Sequence, residues 1–142
     1  MIALLFVVLV ALADRTTKAV ALAFPTATQQ LVGSVLTFES SVNIGGPLGF
    51  PIPLSVSLGL GVLLTVMLFM VAVLEERELD QVLLVGVMVG LLSNTYDRFQ
   101  FGYVLDTLRL TPGLAFNIAD LLIVTGAVVV GVRLVRREER AA

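Results

Sequence analysis

The 142-residue sequence contains no cysteine and no histidine. Without cysteine there is no disulfide, no thiol nucleophile and no thiolate metal site. Without histidine a Ser–His triad is excluded, together with the commonest zinc ligand. No metal and no cofactor is expected. Charge is scarce too: 14% of residues are Asp, Glu, Lys or Arg, where an ordinary soluble domain carries about 25%. With 58% hydrophobic residues and a mean hydropathy of +1.02, the chain cannot cover a water-facing surface. Its solvent is the bilayer. The net charge is −2 and there is no long basic run, so nucleic acid is not an expected partner. Acid–base chemistry near neutral pH is left to carboxylates, lysine or tyrosine.

What is present is a set of apolar runs. Residues 2–13 are uncharged, and apolar character resumes after Lys18. Residues 2–24 are read as one membrane helix, not a signal peptide's apolar region. Asp14 and Lys18 stand at i, i+4 on one face of it. They either mark the helix end or brace a site. Residues 25–53 are rich in Pro and Gly, with a β-prone run over 31–38, and form a first outer loop that is either functional or a connector. Residues 54–74 are free of charge and long enough to span. After an acidic turn, residues 81–96 form a third span, where Gly86 and Gly90 permit close helix packing. A second outer loop over 97–116 precedes a fourth span over 117–136. The expected fold class is an all-α membrane protein: one four-span domain over 1–142 with a small extracytoplasmic β-prone loop region. Arg133, Arg136, Arg137 and Arg140 place the C-terminus in the cytoplasm, and four spans place the N-terminus there as well.

The polar residues gather in one place. Residues 93–120 hold Asp97, Asp106, Asp120, Asn94, Asn117, Arg98 and Arg109. Asp120 stands 13 residues before Arg133, roughly 20 Å along a helix. Asp14 and Asp97 reach similar heights on their own helices, so three spans bring a carboxylate to the outer level. Ionisable groups inside a membrane mark a functional site by default. Two carboxylates held close share one proton. The ionised one then takes a proton from water while the protonated one donates to a carbonyl oxygen, which is aspartic proteolysis without histidine, cysteine or metal. Asp120 is one partner. The residues alone leave Asp97 and Asp106 as equal candidates for the other, and each single Asp also reads as a helix cap or an ion-pair member.

The motifs resemble the lipoprotein signal peptidases (signal peptidase II) over nearly the whole chain. The family's Asp-x-x-x-Lys is matched by Asp14 to Lys18. Its loop Asn–Gly motif resembles the run that starts Asn43-Ile44-Gly45-Gly46. Its Asn-x-x-Asp-Arg run resembles Asn94-Thr95-Tyr96-Asp97-Arg98, leading to Gly102 and Asp106. Its Phe-Asn-x-Ala-Asp is present as Phe116-Asn117-Ile118-Ala119-Asp120. The resemblance implies that Asp106 and Asp120 are the catalytic dyad of an aspartic endopeptidase. It also implies that Asn43, Gly45, Asn94, Asp97, Arg98 and Asn117 bind or support substrate, and that Asp14 and Lys18 are a structural pair. The implied substrates are diacylglyceryl-modified prolipoproteins cut before the lipidated Cys. The implied location is the bacterial cytoplasmic (inner) membrane, among its lipids. A working monomer and inhibition by globomycin-like cyclic peptides are implied as well.

The sequence departs from that pattern at Ser93, usually Gly, at Gly46-Pro47-Leu48, usually Ala-Ala-Phe, and at Thr107, usually Phe. The 107–115 connection is short. These touch substrate preference and inhibitor sensitivity more than chemistry. The competing reading is a non-catalytic polytopic paralogue, a binding protein or an ion pathway.

Overall fold

The apolar runs become helices and the Gly- and Pro-punctuated stretches between them become strands. The computed structural model describes residues 2–46 and 50–141. In chain order the elements are α1 (Ile2–Ala23), β1 (Thr28–Val32), β2 (Leu36–Asn43), α2 (Leu54–Leu74), α3 (Glu78–Phe101), β3 (Val104–Leu110), β4 (Leu114–Phe116) and α4 (Ile118–Ala141). Three helical stretches are long and apolar enough to cross a membrane: Leu54–Leu74, Glu78–Phe101 and Ile118–Arg137. The first helix has the length, but Asp14, Arg15 and Lys18 interrupt it.

Helix α3 is the hub, packing against α1, α2 and α4. Glycines on α3 and α4 make this possible. A Cβ at Gly90 would lie 2.6 Å from the Ala119 carbonyl oxygen, and one at Gly126 would lie 2.5 Å from Val87. Close approach of this kind suits helices in lipid, where packing rather than water drives association. Gly86, one turn from Gly90, faces Val7 and Leu122. At its C-terminal end α3 closes on Gly102, whose φ of 82° is in the left-handed region and whose N–H donates to the Arg98 carbonyl at 3.0 Å. Glycine takes this conformation without Cβ strain. The turn sends the chain directly into β3.

The β-prone loop region is larger than the sequence suggests. The 25–53 and 97–116 loop regions both contribute to one antiparallel sheet in the order β1-β2-β3-β4, so the all-α expectation is corrected to a mostly helical fold with a small sheet. The run over 31–38 is not one strand but the tip of the β1–β2 hairpin, turning at Gly33 with φ 51°. Helix α3 also runs past the expected end of its span, so Asp97 and Arg98 belong to its last turns and not to a loop. Leu36 pairs with Leu110 and Asn43 with Val104, with a register irregularity between Phe38 and Ser41 that sets Ser41 opposite Asp106.

Burial is inverted relative to a soluble protein. Asp14, Lys18, Asp80, Asn94, Asp97, Asp106, Thr107 and Asn117 are buried, while long stretches of Leu, Val, Phe and Met face outward. This is what a lipid solvent selects: apolar side chains cover the outside, and polar groups must satisfy one another inside. At the far end of α3 the same rule operates. Asp80 is 2% exposed and pairs with Arg133 and Arg137, and Arg137 also reaches Glu75 at 3.5 Å. Asp80, which follows the acidic turn in sequence, is therefore buried in an ion clamp between α3 and α4.

Candidate active site

The site begins with a helix cap. Asn117 precedes α4, and its Oδ1 accepts the Asp120 N–H at 3.0 Å while the Asp120 carboxylate accepts the Asn117 N–H at 3.1 Å. This is the reciprocal capping box in Asn-x-x-Asp form. It explains the spacing: positions i and i+3 satisfy two otherwise unpaired donors at the helix start. The Asn117 side chain has one group left, Nδ2, which donates to Asp106 Oδ1 at 2.8 Å. One fully buried asparagine thus holds Asp106, on β3, and Asp120, on α4.

A second asparagine continues the chain. Asn94 Nδ2 donates to Asp120 Oδ1 at 2.7 Å, and its Oδ1 accepts from Lys18 Nζ at 3.1 Å. An ammonium only donates, so Lys18 fixes which end of the amide faces Asp120. Lys18 also pairs with Asp97 at 2.7 Å and Asp14 at 3.3 Å. Asp14 in turn accepts the Ser93 hydroxyl at 2.6 Å and, from α1, the backbone N–H of Ala119 at 2.9 Å. Asp97 accepts Arg15 at 2.8 Å and the Leu105 N–H at 3.4 Å. Carboxylates from three helices and one strand are joined through shared donors.

Arg98 reaches the other way. Its guanidinium donates to the Asn94 carbonyl and to the Gly45 carbonyl, each at 3.4 Å, tying α3 to the first loop. Asn43 Oδ1 accepts the Gly45 N–H at 3.1 Å, and Gly46 donates to the Phe50 carbonyl at 2.6 Å. Asn43 and Gly45 therefore form the rim above the carboxylates. Of the loop departures, Pro47 and Leu48 lie outside the described residues. Thr107, in β3, is completely buried and does not line the rim. Ser93 supports Asp14.

The charge of Asp106 bears on its chemistry. Burial, and next the negative charge of Asp120, push its carboxyl up to about 6 against the hydrogen bonds of Asn117 and Asn43. A carboxyl with this value holds a proton at mildly acidic pH, which suits acid–base work. Among the described residues no cluster of acidic side chains has the form of a metal site.

One participant, Arg15, was not among the residues singled out in the sequence. Arg15 faces inward enough to pair with Asp14 and Asp97, and it lies over the Tyr96 ring at 5.5 Å. Arg109, grouped with the polar stretch, instead pairs with Glu39 across β2 and β3. Helical phase identifies Arg15 only once the partner across the bundle is known, so no local signal was available.

The fold and site define a polytopic helical membrane protein with paired carboxylates at one end of its bundle. Residues 6–136 match the family model for signal peptidase (SPase) II, and the chain belongs to that family. A relative described as a lipoprotein signal peptidase, from Moorella thermoacetica, is 41% identical over 54 residues. That match covers 38% of this chain and 36% of the relative, about a third of its length. Two solved structures, each described as a bacterial membrane enzyme studied by the in meso method, share the fold. One has a TM-score of 0.87 at 19% identity and covers 99% of this chain and 91% of its own. The other has a TM-score of 0.73 at 21% identity and covers 93% and 91%.

Proposed function

We propose that the protein is an intramembrane aspartic endopeptidase that removes signal peptides from diacylglyceryl-modified bacterial prolipoproteins, cutting before the lipidated Cys. The observation that carries this reading is the double hold of Asn117 on Asp106 and Asp120. In the cycle, the ionised member of the dyad accepts a proton from a water molecule, whose oxygen attacks the scissile carbonyl. The protonated member donates to the carbonyl oxygen as it becomes tetrahedral. Collapse of that intermediate breaks the C–N bond, and the amine leaves with a proton returned through the dyad. One proton stays on the pair throughout.

Charge balance supports a shared proton. The cluster contains the carboxylates Asp14, Asp97, Asp106 and Asp120 and the cations Arg15, Lys18 and Arg98. One proton on the dyad makes it neutral, and a neutral cluster is the inexpensive one at the edge of a hydrocarbon core. Arg98, Asn43 and Gly45 supply donors and acceptors at the rim for the substrate backbone. Asp14 and Lys18 brace the dyad from α1. The same rim is where a globomycin-like cyclic peptide would compete.

The topology belongs to the proposal as well. All four helices span, α1 included, because its charges are met inside the bundle. Both termini are cytoplasmic and the sheet lies on the outer face of the bacterial inner membrane. Arg133 and Arg137 pair with acids, but the orientation rule counts basic residues and not net charge.

The test is cleavage of a synthetic diacylglyceryl prolipoprotein peptide by purified protein in detergent, with chelator present. Wild type should cut, and Asp120→Asn should lose about 10⁴-fold or more in kcat, as when one member of a catalytic unit is removed. Folded wild type that cuts no lipidated peptide would instead identify a non-catalytic paralogue.

A further inference from the structure

Arg15 has more donors than the bundle uses. Its Nη2 serves Asp14 and Asp97, while its Nη1, which is not buried, donates to no acceptor among the described residues. The side chain is still 37% exposed, on a surface that faces lipid. An unmet donor at membrane depth costs several kcal/mol unless something outside the chain accepts from it.

The surroundings say what that acceptor is. Arg15 opens into a notch of about 160 Å³, lined also by Lys18, Leu22, Tyr96, Asp97 and Phe101. Tyr96 and Phe101 near the outer end of α3 set the notch at the level where aromatic side chains meet lipid head groups. Next to it runs an open, wholly different groove of about 770 Å³ between α2 and α3, lined by Leu58, Val62, Val66, Leu92, Tyr96 and Phe99. Tyr96 lines both. Leu92, Tyr96 and Phe99 follow one face of α3 at i, i+4, i+7. Asn94 lies two residues from Tyr96, about 200° away around the helix. The combined surface thus adjoins the Lys18–Asp97 pair at the notch and lies on the back of α3, away from the dyad, along the groove. It is polar at its outer end and apolar toward the membrane centre, the polarity order of a membrane lipid.

We infer that this surface is a glycerophospholipid site: the lipid phosphate accepts from Arg15 in the notch, and an acyl chain follows the α2–α3 groove past Tyr96. Guanidinium suits a phosphate because its donors form a planar fork. The site needs the chain to sit in a membrane but does not depend on the proposed peptidase activity.

The experiment uses the full-length protein, delipidated in detergent and titrated with dioleoylphosphatidylglycerol. Native mass spectrometry counts retained lipid and thermal unfolding reads stabilisation. Wild type should retain the lipid and melt higher with it. Inorganic phosphate alone and dioleoylglycerol alone should do neither. Arg15→Gln should weaken retention roughly tenfold or more, the loss expected for one hydrogen bond to a charged group. Because Arg15→Gln also disturbs Asp97, Val62→Trp, which fills the groove far from any charge, serves as the second variant and should weaken retention while leaving lipid-free melting unchanged. Retention by either variant equal to wild type would overturn the site, as would no retention by wild type. A full thermal shift with phosphate alone would remove the groove from it, and binding of dioleoylglycerol as tight as the phospholipid would remove the phosphate.

Discussion

The Asp14 carboxylate, on α1, accepts the Ala119 N–H at 2.9 Å, so the first helix caps the fourth one residue before Asp120. The same carboxylate meets Lys18 and Ser93. It is a structural joint whose failure reaches the dyad only by moving α4. Asp14→Asn keeps an acceptor for Ala119 but leaves Lys18 and Arg15 sharing Asp97 alone. Breaking a buried pair in this way costs roughly 3 kcal/mol or more. Unfolding in detergent should show that loss, while the fraction still folded goes on cutting peptide. An unchanged unfolding profile would refute the joint.

Asp106 gives a prediction about pH. Its carboxyl is pushed up to about 6 from the ordinary 3.8, so the folded state binds this proton more tightly than the unfolded state does. The associated stability is complete below about 3.8, declines as pH rises through about 6, and is absent above that. About two units correspond to roughly 3 kcal/mol. Asp106→Asn removes this titration and keeps an acceptor for Asn117. The variant should be inactive yet more stable than wild type at pH 7.5, with the advantage shrinking toward pH 4. Melting curves across that range decide it, and an advantage that grows on acidification would contradict the raised value. The basic limb of the kcat/KM profile should likewise report loss of the shared proton from the dyad as a pair.

Gly90 offers a way to move Asp120 without touching a polar group. Its added Cβ would press on the Ala119 carbonyl at 2.6 Å and on Ile123 Cγ1 at 2.8 Å. Gly90→Ala must push the start of α4 outward. Overpacking of this kind costs about 1–3 kcal/mol, and a displaced dyad member should lower kcat by about tenfold to a hundredfold. Gly131→Ala is the control, since a Cβ there meets nothing within 4 Å. Equal kcat in the two variants would show that α4 tolerates the shift.

These cases also show how far the sequence could be read. Apolar runs locate the helices because lipid forbids any other spanning backbone. The Asn117–Asp120 spacing was legible because a capping box is local. The sheet was not, since β2 from the first loop and β3 from the second pair at a register fixed only when α3 and α1 have met. The different surroundings of Asp97 and Asp106 were beyond the residues alone for the same reason: each stands beside a cation or an amide in sequence, and only the fold gives Asp97 to Lys18 and Arg15 and gives Asp106 to Asn117. The clamp on Asp80 had no local signal because its partners lie more than fifty positions away.

That distant clamp yields the last prediction. Asp80 is buried and pairs with Arg133 and Arg137. Replacing both arginines by glutamine leaves a desolvated carboxylate without a cation, which should cost roughly 3–5 kcal/mol. Adding Asp80→Asn to that double variant removes the orphaned charge. The triple variant should therefore be more stable than the double, a coupling that independent surface charges would not produce. Asp80 and Asn94 are 14 residues apart on α3, roughly 21 Å, so peptide cleavage per folded molecule should match wild type in both. A triple variant no more stable than the double would mean that water reaches Asp80. Loss of cleavage in well-folded triple variant would mean instead that this clamp sets the height of α4 and, through it, the position of Asp120.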